Sequence, residues 1–115
     1  MNMNISALSE KIEATILTMQ ADTQRVVSSG YTCDLLSWVM AHGREGMAWI
    51  TVQTHMNVIA VATLHDMACV IIPEGIKVEN DVIEKADEEG ICVLASPLTA
   101  YEISGRMHDS GIGAM

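Results

Sequence analysis

Basic side chains and large aromatic side chains are scarce in this 115-residue sequence. Six Lys and Arg residues stand against fifteen Asp and Glu, which gives a formal net charge of −9 at pH 7. Nucleic acids and anionic membrane surfaces bind to basic patches, so this balance argues against both kinds of partner. Phe is absent and only two Trp and two Tyr occur, whereas there are nine Met. We therefore expect flexible Met side chains to fill core space that aromatic rings usually occupy.

Several features that mark membrane, metal-binding or catalytic proteins are also missing. No apolar run approaches 18 residues, so no membrane-spanning segment is predicted. The three cysteines, Cys33, Cys69 and Cys92, lie far apart, which is typical of reduced thiols in a cytoplasmic protein rather than of a disulfide framework. There is no C-x₂-C or H-x₃-H pair, so neither a metal nor another cofactor is predicted. Without a nucleophile elbow or a Walker A loop, an enzyme is not predicted either.

The hydrophobic half of the sequence is arranged for an α/β fold. Runs typical of strands occur at residues 14–19, 25–33, 48–53, 68–72 and 91–95, and helical patterns separate most of them. Such alternation gives parallel strands joined by crossover helices. We predict one domain over residues 1–115, with a central, mostly parallel sheet flanked by helices on both faces. The first two runs, joined by a short turn, are expected to add an antiparallel element.

Helix signals accompany several of these runs. Asp34 is expected to cap the helix that follows the second run. Asp81 with Glu84 and Thr99 with Glu102 have the spacing of capping boxes. Residues 58–64 form a helix that is apolar nearly all round, which predicts that it is buried or covered by a partner. A second copy of the chain would provide such cover, so a homodimer is predicted.

Polar residues follow the predicted parallel strands. Ligands of such sheets bind at the carboxyl ends of the strands, where the N–H groups of the following helices converge. The most polar segment there contains Gln53, Thr54, His55 and Asn57. Amide, hydroxyl and imidazole groups at a helix N-terminus suit a carboxylate, a phosphate or a nucleotide. In the alternative interpretation, Thr54 or Asn57 caps the helix and His55 makes only a local hydrogen bond.

Two further loops are predicted to reach the same edge, and they contribute Glu74, Gly75 and Ser96 to the candidate set. Residues 74–89 hold seven of the fifteen acids and only two of the six bases. This acidic stretch is either a docking surface for a basic partner or a solvated helix face. Glu74 is the acid of the stretch that we expect to oppose an anion bound at the Thr54 helix end.

The order of these motifs resembles the DRTGG domain family. The resemblance rests on residues 31–41, 49–62, 71–75, 84–91 and 96–103. Its most specific part is the signature Gln53-Thr54-His55-x-Asn57, and it extends over nearly the whole chain. The sequence departs from the family pattern at Pro73-Glu74-Gly75, where a Gly-Gly turn is usual, and at Met56, where Pro is common. The glutamate weakens any transfer of anion binding to that loop.

The resemblance implies a fold similar to the N-terminal domain of HPr kinase/phosphorylase. It also implies a non-catalytic regulatory or dimerisation role, as in pyrophosphatases where such domains accompany CBS domains, and in phosphotransacetylases. Stand-alone copies often accompany iron hydrogenases and redox-linked kinases. We therefore predict a cytoplasmic, homodimeric regulatory domain that senses a nucleotide or small anion. The alternative is an adaptor for a protein partner, for example in a hydrogenase or redox-kinase system, without a small-molecule site.

Overall fold

The computed structural model describes residues 3–114, so Met1, Asn2 and Met115 of the predicted domain lie outside the described residues. In chain order the elements are β1 (Met3–Asn4), α1 (Ile5–Lys11), β2 (Thr15–Ile16), β3 (Val26–Val27), β4 (Ser29–Thr32), α2 (Leu36–His42), β5 (Met47–Ile50), α3 (Met56–Leu64), β6 (Cys69–Ile72), α4 (Asn80–Glu89), β7 (Cys92–Ala95) and α5 (Ala100–Asp109). The predicted alternation of strands and helices is confirmed from β4 onward.

The main sheet has five strands in the order β2-β7-β6-β5-β4. The strands β4, β5, β6 and β7 are parallel, and β2 runs antiparallel to β7 at one edge. Parallel neighbours need a crossover connection, and α2, α3 and α4 supply one each. The predicted α/β fold with a mostly parallel sheet is therefore confirmed.

Helices cover both faces of this sheet, as predicted. Trp49 pairs with Val70, and Val70 with Val93, and all three pack in the core beneath α2, α3 and α4. The next residues along the strands, Ile50 among them, pack on the opposite face against α1 and α5. Successive strand residues point to opposite faces, so these buried apolar runs supply two cores.

The prediction for the first two strand-like runs is wrong in its pairing. Only Thr15 and Ile16 of residues 14–19 form a strand, and β2 pairs antiparallel with β7 instead of with the second run. The second run is divided into β3 and β4. Strand β3 pairs with β1 in a separate two-stranded sheet, and β4 forms the other edge of the main sheet. Partner choice here depends on contacts between distant segments, which local periodicity does not contain.

The helix ends agree with the sequence in one case and disagree in two. Thr99 caps α5, and its Oγ1 accepts a hydrogen bond from the Glu102 N–H at 3.2 Å. The caps predicted at Asp34 and Asp81 are wrong, because α2 begins after Leu35 and α4 begins after Glu79, both without a side-chain cap. The Asp34 carboxylate instead bonds the segment after β5.

Helix α3 is buried along one side only. Val58, Ile59, Val61 and Ala62 are buried, whereas Leu64 is 66% exposed. This helix was predicted to be buried or covered by a partner. The rest of the chain buries about half of its surface, and the other half is exposed. None of the helices among residues 3–114 has the length and apolar character needed to cross a membrane.

Cys69 and Cys92 lie opposite each other at the starts of β6 and β7 and are buried, in agreement with their interpretation as core thiols. Burial raises the pKa of both thiols above the ordinary range, since a thiolate would lose its hydration there. They lie at the amino ends of the strands, away from the predicted polar edge.

Candidate functional site

The parallel strands β4, β5, β6 and β7 all end at one edge of the sheet. The loops that follow them contain Asp34, the segment 53–57, the turn at Glu74 and the residue Ser96. Hydrogen bonds across the strand ends hold the loops in order: the Thr51 N–H donates to Ile71 O, and the Ser96 N–H donates to Ile72 O. Sequence reasoning placed the last three of these loops at a common edge, and the sheet topology puts them there, together with the Asp34 loop.

Asp34 fixes the path of the chain out of β5. Its Oδ1 accepts hydrogen bonds from Thr51 Oγ1 and from the Val52 N–H, each at 2.9 Å. Thr51 is fully buried, and its Oγ1 also accepts from the Gln53 N–H at 3.1 Å. Asp34 and Thr51 thus orient the candidate residues that follow. In the sequence, the signal for this role is an acidic residue soon after β4. The neighbouring strand of the sheet, β5, is also followed by polar residues.

His55 is the N-cap of α3. Its Nδ1 accepts a hydrogen bond from the Asn57 N–H at 3.0 Å, so in the neutral ring the proton is on Nε2. The local hydrogen bond that the alternative interpretation gave to His55 is therefore present, but the cap of the helix is His55 rather than Thr54 or Asn57. The exposed imidazole keeps its Nε2–H as a donor.

The amino end of α3 also has unused backbone donors. In the part of the chain that the structure describes, the His55 and Met56 N–H groups have no hydrogen-bond partner. Two such groups at the start of a nine-residue helix favour a nearby negative or partly negative group.

An open depression of about 450 Å³ lies beside this helix end. It is lined by Val52, Gln53, Thr54, His55, Met56, Glu79, Asp81 and Val82. We call it the carboxyl-edge depression. It contains three apolar side chains, three neutral polar ones and two carboxylates, so it suits a ligand that has both an apolar surface and hydrogen-bond donors.

Asn57 does not line this depression. Although it belongs to the same signature, its side chain lines a groove between α2 and α3. Asn57 directly follows Met56, which lines the depression, and consecutive residues point about 100° apart around a helix axis. The structure therefore brings Gln53, Thr54 and His55 together and leaves Asn57 on a different surface.

Glu74 and Gly75 form the centre of a tight turn. The Ile76 N–H donates to Pro73 O, and both central residues have positive φ angles, 60° for Glu74 and 65° for Gly75. Their own N–H groups donate to Leu98 O and Ser96 O at 2.8 and 3.0 Å. These amides hold two loops together and are not offered to a ligand.

Ser96 is 1% exposed and has a structural set of contacts. Its hydroxyl donates to Ile12 O at 2.7 Å and accepts from the Leu98 N–H at 3.1 Å. Like Glu74 and Gly75, it does not line the carboxyl-edge depression.

The acids beside the depression are Glu79 and Asp81 rather than Glu74, and no Lys or Arg lines it. These two residues lie at the start of α4, about 25 positions along the chain from His55, so the sequence did not link them to the site. Asp81 Oδ1 accepts from the Val82 N–H at 2.9 Å, which leaves its second oxygen for other contacts.

Grouped metal ligands do not occur at this edge. Within residues 3–114, no three His, Cys, Asp or Glu side chains come together in an arrangement that would hold a metal ion.

These observations define the class: a three-layer α/β domain with a polar depression at the carboxyl ends of its parallel strands. The sequence model of the DRTGG domain matches residues 7–110, so the chain belongs to the DRTGG domain family. The comparison with curated proteins gives no match.

A solved structure with the same fold is the regulatory region of Clostridium perfringens pyrophosphatase. It comprises CBS and DRTGG domains and is complexed with its activator, diadenosine tetraphosphate. The two structures align with a TM-score of 0.76 at 14% sequence identity. The alignment covers 90% of this chain and 45% of the other, so the present chain corresponds to less than half of that regulatory region.

Proposed function

We propose that this chain is a non-catalytic regulatory domain that senses a nucleotide in the carboxyl-edge depression. The observation that carries the proposal is that His55 and Met56, with two unused backbone N–H groups and an imidazole, line the same depression as the apolar Val52 and Val82. The similar pyrophosphatase region responds to a dinucleotide, which supports a nucleotide as the first ligand to test. We also propose that residues 1–115 form one domain, and that it is homodimeric.

The polar and apolar parts of the depression match the parts of a nucleotide. A phosphate accepts hydrogen bonds from the His55 and Met56 N–H groups and from His55 Nε2. A base packs on Val52, Met56 and Val82, which form the apolar part of the lining.

The carboxylates of Glu79 and Asp81 refine the ligand class. They repel a free phosphate, but they accept hydrogen bonds from ribose hydroxyls and from an exocyclic amine. We therefore expect adenine nucleotides to bind more tightly than inorganic phosphate or acetate. Mg²⁺, which neutralises phosphate charge, is expected to strengthen nucleotide binding further.

Calorimetric titration with AMP, ATP and diadenosine tetraphosphate tests the proposal, with and without Mg²⁺. His55→Ala is expected to weaken binding by about tenfold or more, because it removes a donor and loosens the helix end. His108→Ala is the matched control, since His108 is also exposed and lines a different cavity, beside α5. Absence of binding at about millimolar nucleotide, a Kd equivalent to only about −4 kcal/mol, rejects the sensing role.

The proposal includes no chemical step. Its support is that the DRTGG domain of the similar pyrophosphatase belongs to a regulatory region. Nucleotide recovered unchanged after incubation with the protein is the expected result, and turnover would contradict it. The three free thiols support a cytoplasmic location.

The acidic outer face of α4 favours a second candidate function, an adaptor for a basic protein partner. Glu84, Glu88 and Glu89 are exposed there. Lys85 Nζ lies 3.1 Å from Glu89 Oε1, and this hydrogen bond raises the pKa of Lys85 above its usual value. Reversing the charge of the three glutamates is expected to abolish binding to such a partner, for instance a component of a hydrogenase or redox-kinase system. In this case His55→Ala has no effect.

A further inference from the structure

The outward surface of α2 and α3 is uncharged. It is formed by the exposed side chains of Ser37, Met40 and Ala41 from α2 and of Ala60 and Leu64 from α3, which we call the neutral helical face. Met40 is 44% exposed and Leu64 is 66% exposed. Single exposed apolar side chains are common on protein surfaces, so what distinguishes this face is its lack of charge.

The neutral helical face is grooved. One open groove of about 380 Å³ runs between α2 and α3 and is lined by Leu36, Ser37, Met40, Asn57, Ala60 and Val61. A second groove of about 370 Å³ lies between α3 and α4, where the paired side chains of Lys85 and Glu89 form the margin of the neutral helical face. Ala60 lines both grooves, and its side chain between them is only a methyl group. A helix from another molecule can therefore come close to the backbone of α3.

The distribution of charge favours a second copy of this chain as the occupant. Residues 35–65 contain only Arg44 and Glu45 as charged residues, so fourteen of the fifteen acids lie elsewhere. Two chains of net charge −9 repel each other over most of their surfaces. They approach with least repulsion when the neutral helical faces meet.

We infer that the neutral helical face is the surface through which two copies of this chain associate. This inference deepens the dimer part of the proposed function by naming the contact. The symmetry is two-fold, because the same apolar surface serves both copies and Ala60 of each lies near the contact centre. Trp38 is not part of this face, since two residues along a helix turn it by about 200° from Met40.

A basic partner fits this surface less well than a second copy does. Its positive side chains would lose water on α2 and α3 without finding an acid. Residues 74–89, which include the acidic face of α4, contain seven acids, whereas residues 35–65 contain one. The α4 face therefore offers such a partner many more carboxylates. The groove between α2 and α3 and the acidic outer face of α4 are therefore assigned to different partners.

Ala60→Glu tests the inference in the full chain. Sedimentation velocity from about 1 to 100 µM is expected to give a dimer for the natural sequence, and a Kd raised by about tenfold or more in the variant. The reason is that the variant would add two carboxylates to a contact between two chains that are already anionic. Ala60→Ser, which keeps a small uncharged residue, is expected to leave the Kd within about threefold. Tyr101→Glu is the distant control, because Tyr101 is 90% exposed on α5.

Salt gives an independent measurement. Because the natural dimer would join two anionic chains, raising NaCl from about 0.05 to 0.5 M is expected to lower its Kd. Circular dichroism checks that each variant folds. A monomer at about 100 µM, or a dimer that Ala60→Glu leaves unchanged, overturns the inference.

Nucleotide titration of the same samples separates this inference from the sensing proposal. A monomeric chain that still binds nucleotide overturns the dimer contact alone. A dimer that Ala60→Glu dissociates, and that binds no nucleotide, supports the contact and rejects the sensing role.

Discussion

The two sides of the central sheet are held together in different ways. On the α1–α5 side, polar side chains tie distant segments: Arg106 Nη1 donates to Glu13 Oε2 at 3.0 Å and to Lys11 O at 3.2 Å, and Ser96 Oγ donates to Ile12 O. On the α2–α4 side, the core is mostly apolar contact around Trp49, and polar ties lie at its margin, where Asp87 Oδ1 accepts from the Met19 and Gln20 N–H groups at 2.8 and 2.9 Å. His65 joins the end of α3 to α2 on this side, because its Nε2 lies 2.8 Å from Met40 O.

This difference matters for function. The α1–α5 side uses these polar groups internally, and the cavity beside His108 there has a volume of only about 160 Å³. The α2–α4 side leaves uncharged helix surface and two grooves outside, next to the depression at the strand ends. Both proposed contacts, with a nucleotide and with a second copy, therefore involve the side that is held mainly by packing.

The largest expected effect is a loss of packing on the α2–α4 side. Trp49 is fully buried, and its Nε1–H donates to Cys33 O at 2.8 Å. Trp49→Ala is expected to lower the free energy of unfolding by about 3–5 kcal/mol, measured by urea denaturation. Trp38→Ala is the matched control, because Trp38 is 53% exposed and its loss is expected to cost about 1 kcal/mol or less. Equal losses would contradict the packing model.

A smaller effect is expected from breaking a polar tie on the α1–α5 side. Ser96→Ala leaves Ile12 O and the Leu98 N–H without their partner, so we expect a loss of about 1–3 kcal/mol. Exposed Ser37→Ala should stay within about 0.5 kcal/mol of the natural protein. Nucleotide affinity should not change with Ser96→Ala. If affinity falls while stability does not, Ser96 belongs to the binding site after all.

The smallest expected effect is a difference in thiol reactivity between the two sides, which can be measured without destabilising either side. Cys69 and Cys92 belong to the core of the α1–α5 side, whereas Cys33 packs at the margin of the other core and is partly exposed. Burial raises the pKa of Cys69 and Cys92, so the reactive thiolate is rarer in the folded protein. A thiol reagent at about pH 8 should label one cysteine rapidly and two only on unfolding. Cys33→Ser should remove the rapid phase, and its persistence would show that a buried thiol is accessible.

The sequence predicted the parallel part of the fold because that information is local. A few consecutive residues are enough to predict the buried strand at Val70, and the same holds for the helix cap at Thr99. The pairing of β2 with β7 was not predictable in this way, since Thr15 and Ala95 are 80 positions apart. Asp34 shows the same limit. Its residue type favours an N-cap, but in the folded chain its carboxylate accepts hydrogen bonds from Thr51 Oγ1 and the Val52 N–H instead.

The candidate site was predicted in part. Gln53, Thr54 and His55 line one depression as a local signature should, while Asn57 turns away around the helix. Whether any of them binds a ligand stays a prediction. Glu79 and Asp81 were absent from the predicted set because α4 brings them there through tertiary packing against α3.

By itself, the sequence determined the class of fold, the two buried faces of the parallel strands and the edge at which their polar residues gather. Tertiary structure alone decided which polar groups remain available there. Ser96 and the Glu74 amide satisfy neighbouring backbone groups, whereas His55 Nε2–H and the Met56 N–H do not. The physical reason is that a polar group must find a partner when it is buried, and only the folded chain sets which groups are buried together.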